Sequence, residues 1–425
     1  MTSPLARVSG AVTRQRLPWP RPGKGVTCPY CFASVAPQRI LFRCRGQSGR
    51  RRGCAPVLDE KLAAYTGSTA GASLPPVFAP PGRLAGGRAG RADCPDCGLP
   101  TGNRACPECH NPLPSAYCDS PGRIVALVGA KNAGKSTYIA VLLHELMNRV
   151  GTELDASLVA CDDRTIERYK RDFARPLLEE RRLLPTTASA ATGPREPLVY
   201  LLTRTRRGRF SRPRNDSLAL VLFDTAGEDL RSREVTDLHL RYLEAADAII
   251  FLVDPLELPG ARAGVRDGVA GAPPPHPRDP DGEPLNVIAR VTEALRRRYG
   301  ARPGEPLPVP VAVALTKIDV LRPALLRQSA LHRSRSGQGV LDLDDRDAVH
   351  EQVRALLHEW QAGQLDTYLG QNYAEHALFG LSALGAAPEG ERVGAGGVRP
   401  HRAEDPLLWL LYRFGMLDGV RPGGG

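Results

Sequence analysis

Along the last three hundred residues, short apolar runs alternate with stretches of helical spacing. Apolar runs occupy 124–128, 218–223, 248–253, 309–315 and 378–381, broken only by Pro310 and Gly380, the pattern of strands buried on both faces. Between them, 138–149, 235–246, 286–299 and 347–361 carry apolar residues three and four apart and predict helices. This alternation predicts an α/β fold, a mainly parallel sheet with flanking helices and a ligand at the strands' C-terminal ends. Residues 163–184 alternate charge and apolarity at helical spacing, and 197–205 pairs with 217–223 as a hairpin through a basic turn at 206–215. A last helix begins at Asp405, read as its N-cap, with Pro406 in the first turn and Trp409 as a core anchor.

Polar, Gly- and Pro-rich stretches interrupt the pattern at about 155–195, 255–284 and 322–345, and read as surface insertions. Before residue 122 the periodicity fails. The reading there is a flexible segment over 1–27, a four-cysteine module over 28–65, a Gly/Ala/Pro-rich linker over 66–92 and a zinc ribbon over 93–118, ahead of a domain spanning 122–418.

The first apolar run leads into Gly129, Gly134, Lys135 and Ser136, the spacing G-x-x-x-x-G-K-[ST] between a strand and a helix. Glycines let backbone N–H groups turn around phosphate oxygens, and the helix N-terminus adds partial positive charge. Lys135 would reach the β/γ-phosphates of a nucleoside triphosphate, and the hydroxyl of Ser136, next to Thr137, would ligate Mg²⁺. After 218–223 come Asp224 and Gly227. An aspartate at a strand end holds Mg²⁺ through water, and a glycine three residues on offers its N–H to a γ-phosphate. The fourth run ends in Thr316-Lys317-Ile318-Asp319, the fifth in Ser382-Ala383.

Eight of the ten cysteines fall in two stretches: Cys28, Cys31, Cys44 and Cys54, then Cys94, Cys97, Cys106 and Cys109. Three Cys-Pro-x-Cys knuckles each aim two sulfurs at one metal, and four thiolates leave no open position, so two structural Zn²⁺ ions are expected. The compact second set reads as a site of its own; ligands shared between the two sets are the alternative. Cys118 and Cys161 read as ordinary thiols, and His110 as a bystander.

The net charge of +11 is concentrated at the front, where residues 1–121 hold 16 Lys/Arg against 6 Asp/Glu. Two zinc sites of four thiolates each would lower that excess to +6, a moderate attraction for nucleic acid or an acidic partner. Arg50-Arg51-Arg52 could touch phosphate or line a solvated loop. Aromatic residues make up 5% of the chain, too few to interleave the basic runs as base-stacking platforms. Arginine outnumbers lysine 51 to 6, yet Lys131, Lys135 and Lys317 all fall inside the motifs, where a compact ammonium differs from a planar guanidinium. No run of 18 apolar residues predicts a membrane span, and the first 26 residues lack the apolar core of a secretory signal. A cytoplasmic location is expected, and there Cys-x-x-Cys spacing reads as metal binding.

Taken together, Gly129 to Thr137, Asp224 to Gly227, Thr316 to Asp319 and Ser382-Ala383 resemble the P-loop GTPases of the Ras-like, translation-factor-related class (TRAFAC). With cysteine knuckles in front, the whole resembles the bacterial double-GTPase family. The resemblance implies GTP/GDP with Mg²⁺. Asp319 would accept hydrogen bonds from guanine, Lys317 would lie along the base, and the Ser382-Ala383 backbone would contact the guanine oxygen. Thr316 stands where asparagine is commoner. Glu228 occupies the place of the water-positioning glutamine, so it, Lys135, Gly227 and a switch-I threonine form the implied catalytic set, with slow unaided hydrolysis. Thr187 or Thr186 fits that threonine best, with Thr165 and Thr192 as alternatives. Lys131 replaces a common glycine, and Asn132 matches the pattern of potassium-using GTPases. The function expected is a GTP-driven switch whose zinc module docks a protein effector or regulator, another GTPase among the candidates. A nucleic-acid-associated GTPase is the alternative, and Asp319 disfavours an ATPase.

Overall fold

The apolar run at 124–128 is the middle of strand β1 (Gly122–Gly129), the central strand of a seven-stranded sheet. The computed structural model describes residues 11–13, 25–46, 53–80, 89–115, 118, 122–130, 132–185, 197–207, 213–223, 236–258, 260–261, 283–335 and 339–422. After β1 come α1 (Lys135–Met147), β2 (Ala156–Ala160), α2 (Asp163–Arg168), β3 (Leu198–Arg207), β4 (Pro213–Leu222), α3 (Thr236–Ala245) and β5 (Ala248–Val253). The domain continues with α4 (Pro284–Tyr299), β6 (Val311–Leu315), α5 (Leu343–Glu359), α6 (Gly363–Asn372), β7 (His376–Gly380) and α7 (Asp405–Arg413).

The strand order is β2-β3-β4-β1-β5-β6-β7. β4, β1, β5, β6 and β7 run parallel, and β3 is antiparallel to both of its neighbours. Side chains of β1 alternate between two cores. Ile124, Ala126 and Val128 pack with residues of α3, α4, α5 and α6; Val125 and Leu127 pack with α1 and α7. Every residue of β5 and β6 is buried, which is why both appear in the sequence as unbroken apolar runs.

Among the described residues, the elements that the pattern missed include two in this sheet-and-helix domain. β2 is an edge strand whose residues are only half-buried or exposed, so no apolar run marks it. α6 buries only Leu365 and Leu369 and begins on a glycine. The 163–184 stretch is helical only in part: α2 continues into a π-helical segment, Tyr169–Glu179, that contains Pro176. Tyr169, Phe173 and Leu177, four apart, are its buried face. At the last helix Asp405 is not the cap; it lies in the first turn, its carboxylate bonded to Arg402 Nε at 2.6 Å. Trp409 is buried against Phe379, with ring centroids 6.1 Å apart.

The cysteine-bearing region departs most from expectation. Val77–Phe78, Leu41–Arg43, Arg104–Ala105 and Pro112–Leu113 form one antiparallel sheet, in that order. It takes strands from both cysteine stretches and from residues read as linker. Phe78 explains the last point: its ring lies 6.3 Å from that of Phe42, so part of the Gly/Pro-rich segment is held by core packing.

Candidate nucleotide and metal sites

The loop after β1 turns on two left-handed residues, Asn132 at φ 65° and Gly134 at φ 83°. Gly129 lies against β5, where a Cβ would stand 2.6 Å from the Leu252 carbonyl, so only glycine fits. Gly134 then opens α1, whose first residues are Lys135, Ser136 and Thr137. The ammonium of Lys135, a buried residue, donates to the carbonyls of Gly129 and Ala130, both at 2.8 Å. Backbone N–H groups at a thirteen-residue helix's start, beside a cation, make an anion-binding cradle.

Strand register carries the other motifs to the same end of the sheet, since Gly129 pairs with Leu252, Val253 with Leu315 and Leu315 with Gly380. Thr316 extends the ladder, its N–H on the Val253 carbonyl at 2.9 Å. Lys317 takes φ 53° and its ammonium reaches Asp254 Oδ2 at 2.6 Å. Asp319 lies in the first turn of a short helix, Ile318–Leu321. The Ile318 N–H meets the Leu381 carbonyl at 3.2 Å, joining this loop to Ser382-Ala383. Ser382 exchanges backbone bonds with His401 at 3.0 and 2.8 Å, and its hydroxyl accepts from the Gly385 N–H at 2.8 Å. Burial pushes the His401 imidazole below its usual range, and its Nε2 lies 2.8 Å from the Leu331 carbonyl.

Asp254 carried no signal in the sequence beyond following an apolar run. It is buried, and its other oxygen accepts from the Leu256 N–H at 3.0 Å, so the carboxylate is fixed before it meets Lys317. Thr165, one of the alternatives for the switch-I threonine, is buried in α2, its hydroxyl accepting from the Val199 N–H at 3.2 Å. Lys131, Thr186, Thr187, Thr192, Asp224, Gly227, Glu228 and Arg50-Arg51-Arg52 lie outside the described residues.

The cysteines form two clusters, Cys28, Cys31, Cys106 and Cys109 in one and Cys44, Cys54, Cys94 and Cys97 in the other, with each set's sulfurs within 4.8 Å of one another. This corrects the reading of Cys94, Cys97, Cys106 and Cys109 as a self-contained ribbon: each cluster takes two ligands from each stretch. The cause is the shared sheet. Leu41–Arg43 runs antiparallel to Arg104–Ala105, so Cys44 and Cys106 leave it at opposite ends. Sulfur separations are 3.8 Å for Cys28–Cys109 and Cys31–Cys106, 3.6 Å for Cys44–Cys97 and 3.7 Å for Cys54–Cys94. A zinc tetrahedron with bonds of about 2.3 Å has edges of about 3.8 Å, so both clusters fit one Zn²⁺ each. Asn111 Nδ2 and the N–H groups of Gly46 and Glu108 lie 3.4 Å from ligand sulfurs, which supports thiolate charge. His110 is engaged elsewhere, its Nδ1 2.7 Å from Asp59 Oδ1. Arg43 holds the other oxygen of Asp59 at 2.7 Å; although burial acts the other way, Arg43, the Leu62 N–H and His110 together keep that carboxyl below its usual range. Among the described residues, neither Cys118 nor Cys161 belongs to a cluster.

A glycine-lysine loop between strand and helix, with the Thr316–Asp319 and Ser382-Ala383 loops beside it on the same mainly parallel sheet, defines a P-loop nucleotide-binding protein of the GTPase fold. The Double-GTPase 2 family model matches residues 123–361, more than half of the chain, and the chain belongs to that family. A Mycolicibacterium smegmatis protein, SaeC, provisionally named an ESX-1 scaffolding and assembly protein, is 30% identical over 426 residues, covering 92% of this chain and 99% of its own. Solved structures that align include the Arl6 BBS3 small GTPase of Trypanosoma brucei (16% identity, 68% of this chain, 95% of that one, TM-score 0.25). Another is the signal recognition particle receptor SRb-GTP/SRX complex of Chaetomium thermophilum (15% identity, 63% and 96%, TM-score 0.25). TM-scores this low leave the assignment to the family match and to the site itself. Among the described residues no helix is long and apolar enough to cross a membrane.

Proposed function

We propose that this chain is a GTP-dependent switch that turns over slowly and acts on a protein partner in an assembly process. The observation that carries the reading is the convergence of the Lys135 loop, the Asp254–Lys317 pair and the Ile318–Leu381 junction at one end of a parallel sheet. In this reading Lys135 and the start of α1 bind the phosphates, and Ser136 with Asp224 hold Mg²⁺. Asp319, flanked by Thr316 and Lys317, reads the base beside Ser382 and Ala383. Mg²⁺ would supply neutralisation of the phosphate charge; the chain's own groups bind and orient. Glu228 would stand near the γ-phosphate as a carboxylate, which disfavours unaided hydrolysis of GTP to GDP and phosphate, with Thr187 and Gly227 as sensors of that phosphate. The scaffolding name of the mycobacterial relative supports a protein effector or regulator rather than nucleic acid.

The test is a pair of competition titrations with GTP, ATP and XTP. A carboxylate at position 319 accepts two bonds from guanine, each worth about 1.5–3 kcal/mol, so GTP is expected to beat ATP by orders of magnitude. Asp319→Asn converts one acceptor to a donor and is expected to turn the preference toward XTP. Wild type that binds ATP as tightly as GTP, or a variant that still prefers GTP, would remove Asp319 from the base-reading role.

A further inference from the structure

We propose that Phe32 is a positioning residue for the nucleotide site, and that through it the Cys28–Cys31 zinc knuckle responds to which nucleotide is bound. The proposal rests on the switch reading above. In each of the three knuckles the residue after the second cysteine takes a left-handed conformation: Gly98 at φ 67°, His110 at φ 54° and Phe32 at φ 59°. Glycine adopts it freely, and His110 is held within its own region by Asp59. Phe32 instead leaves the zinc region: its side chain joins the core on the α3 side of the P-loop domain and is absent from the core around the cysteines.

There it meets two rings. Phe223 lies 5.8 Å away edge-on, Tyr242 5.2 Å away, and those two are 5.3 Å from each other. Phe223 is bonded directly to Asp224 in the chain. Tyr242 touches the phosphate-loop strand: pairing of β1 with β4 stops at Ile124, and past it the Tyr242 hydroxyl accepts from the Leu127 N–H at 2.9 Å and donates to the Val125 carbonyl at 3.2 Å. A second grip comes from the same knuckle. The Tyr30 hydroxyl donates to Asp162, the N-cap of α2, and Arg164 stacks on the Tyr30 ring at 5.0 Å. One knuckle thus holds the strand entering the phosphate loop, the residue before Asp224 and the start of the segment that follows β2. Packed cores shift between discrete arrangements rather than deform smoothly, so a change at these places moves Cys28 and Cys31 with it. Coupling of this kind is reciprocal between the two sites.

The experiment uses the full chain loaded with zinc. Transfer of zinc to a chromogenic chelator is timed with GDP and with a non-hydrolysable GTP analogue, and the affinity for each nucleotide is measured in parallel. One of the two zinc ions is expected to leave at rates differing about fivefold or more between the two nucleotides. Phe32→Ala is expected to erase that difference and change the GDP-to-GTP affinity ratio while both metals still load; Phe32→Leu restores most of it. Tyr30→Phe, which removes only the hydroxyl on Asp162, is expected to reduce the difference even if Phe32→Ala does not fold. Equal release rates from wild type bound to either nucleotide would overturn this proposal and leave the switch reading standing. A Phe32→Ala chain that keeps the difference would also overturn it. A chain that binds neither nucleotide would overturn both.

Discussion

Two buried titratable residues should tilt the stability of this protein against pH in opposite directions. His350, on α5, accepts the Leu378 N–H at Nδ1 (3.0 Å), and burial, then Arg354 and His376, holds its imidazole down to about 4. The unfolded imidazole titrates near 6.5, so between about 4 and 6.5 the native state binds fewer protons, and stability is lost as pH falls through that window. Asp405 is fully buried; burial pushes its carboxyl up to about 6, only partly offset by Arg402. From the usual carboxylate range up to about 6 the native state binds the extra proton, so this group's contribution grows as pH falls. Each full proton of difference changes the slope by about 1.4 kcal/mol per pH unit. Denaturant titrations from pH 4 to 7 are therefore expected to show a shallower acid-side loss for His350→Gln and a steeper one for Asp405→Asn than for wild type. Curves that shift in parallel for both variants would show that neither group titrates differently on folding.

The strand–loop–helix unit from β1 to α1 depends on two glycines for different reasons. A Cβ at Gly134 meets nothing within 4 Å, so the cost of alanine there is the left-handed φ of 83°, about 1 kcal/mol. A Cβ at Gly129 would stand 2.6 Å from a backbone carbonyl of β5, and neither strand can move without opening the ladder, so about 3 kcal/mol is expected. Thermal or urea unfolding of Gly129→Ala and Gly134→Ala checks this order. A Gly134→Ala chain less stable than Gly129→Ala would mean that the loop's conformation, rather than strand contact, governs this unit.

For the whole molecule, the shared zinc sites make a prediction that self-contained ribbons do not. Cys28→Ser with Cys109→Ser removes two ligands from one cluster, so metal analysis is expected to find one zinc remaining. Cys94→Ser with Cys109→Ser takes one ligand from each cluster and is expected to leave none firmly bound, although both cysteines come from one stretch. If each stretch held its own ion, the two outcomes would exchange. Structural zinc contributes about 10–16 kcal/mol in small modules. Because strands at 41–43, 77–78, 104–105 and 112–113 share one sheet, losing either ion should loosen the whole zinc-bearing region.

Local sequence determined a good deal on its own. Buried strands flanked by helices must be apolar at every position, so β5 and β6 were legible as runs, and the Gly-Lys-Ser loop was legible because close backbone approach and a cation near phosphate admit few residue types. Tetrahedral thiolate chemistry likewise made six of the eight clustered cysteines readable from three knuckles, with Cys44 and Cys54 added by their place in the first stretch. Partnership was not readable. Which cysteine joined which, that Phe78 of the expected linker packs on Phe42, that Asp254 meets Lys317 across 63 positions, and that Phe32 leaves its knuckle for Phe223 and Tyr242 are facts of strand pairing and core packing between distant segments. Spacing constrains which side chains are close along the chain; only the closed sheet, by bringing remote backbones within a few ångströms, decided which of them touch.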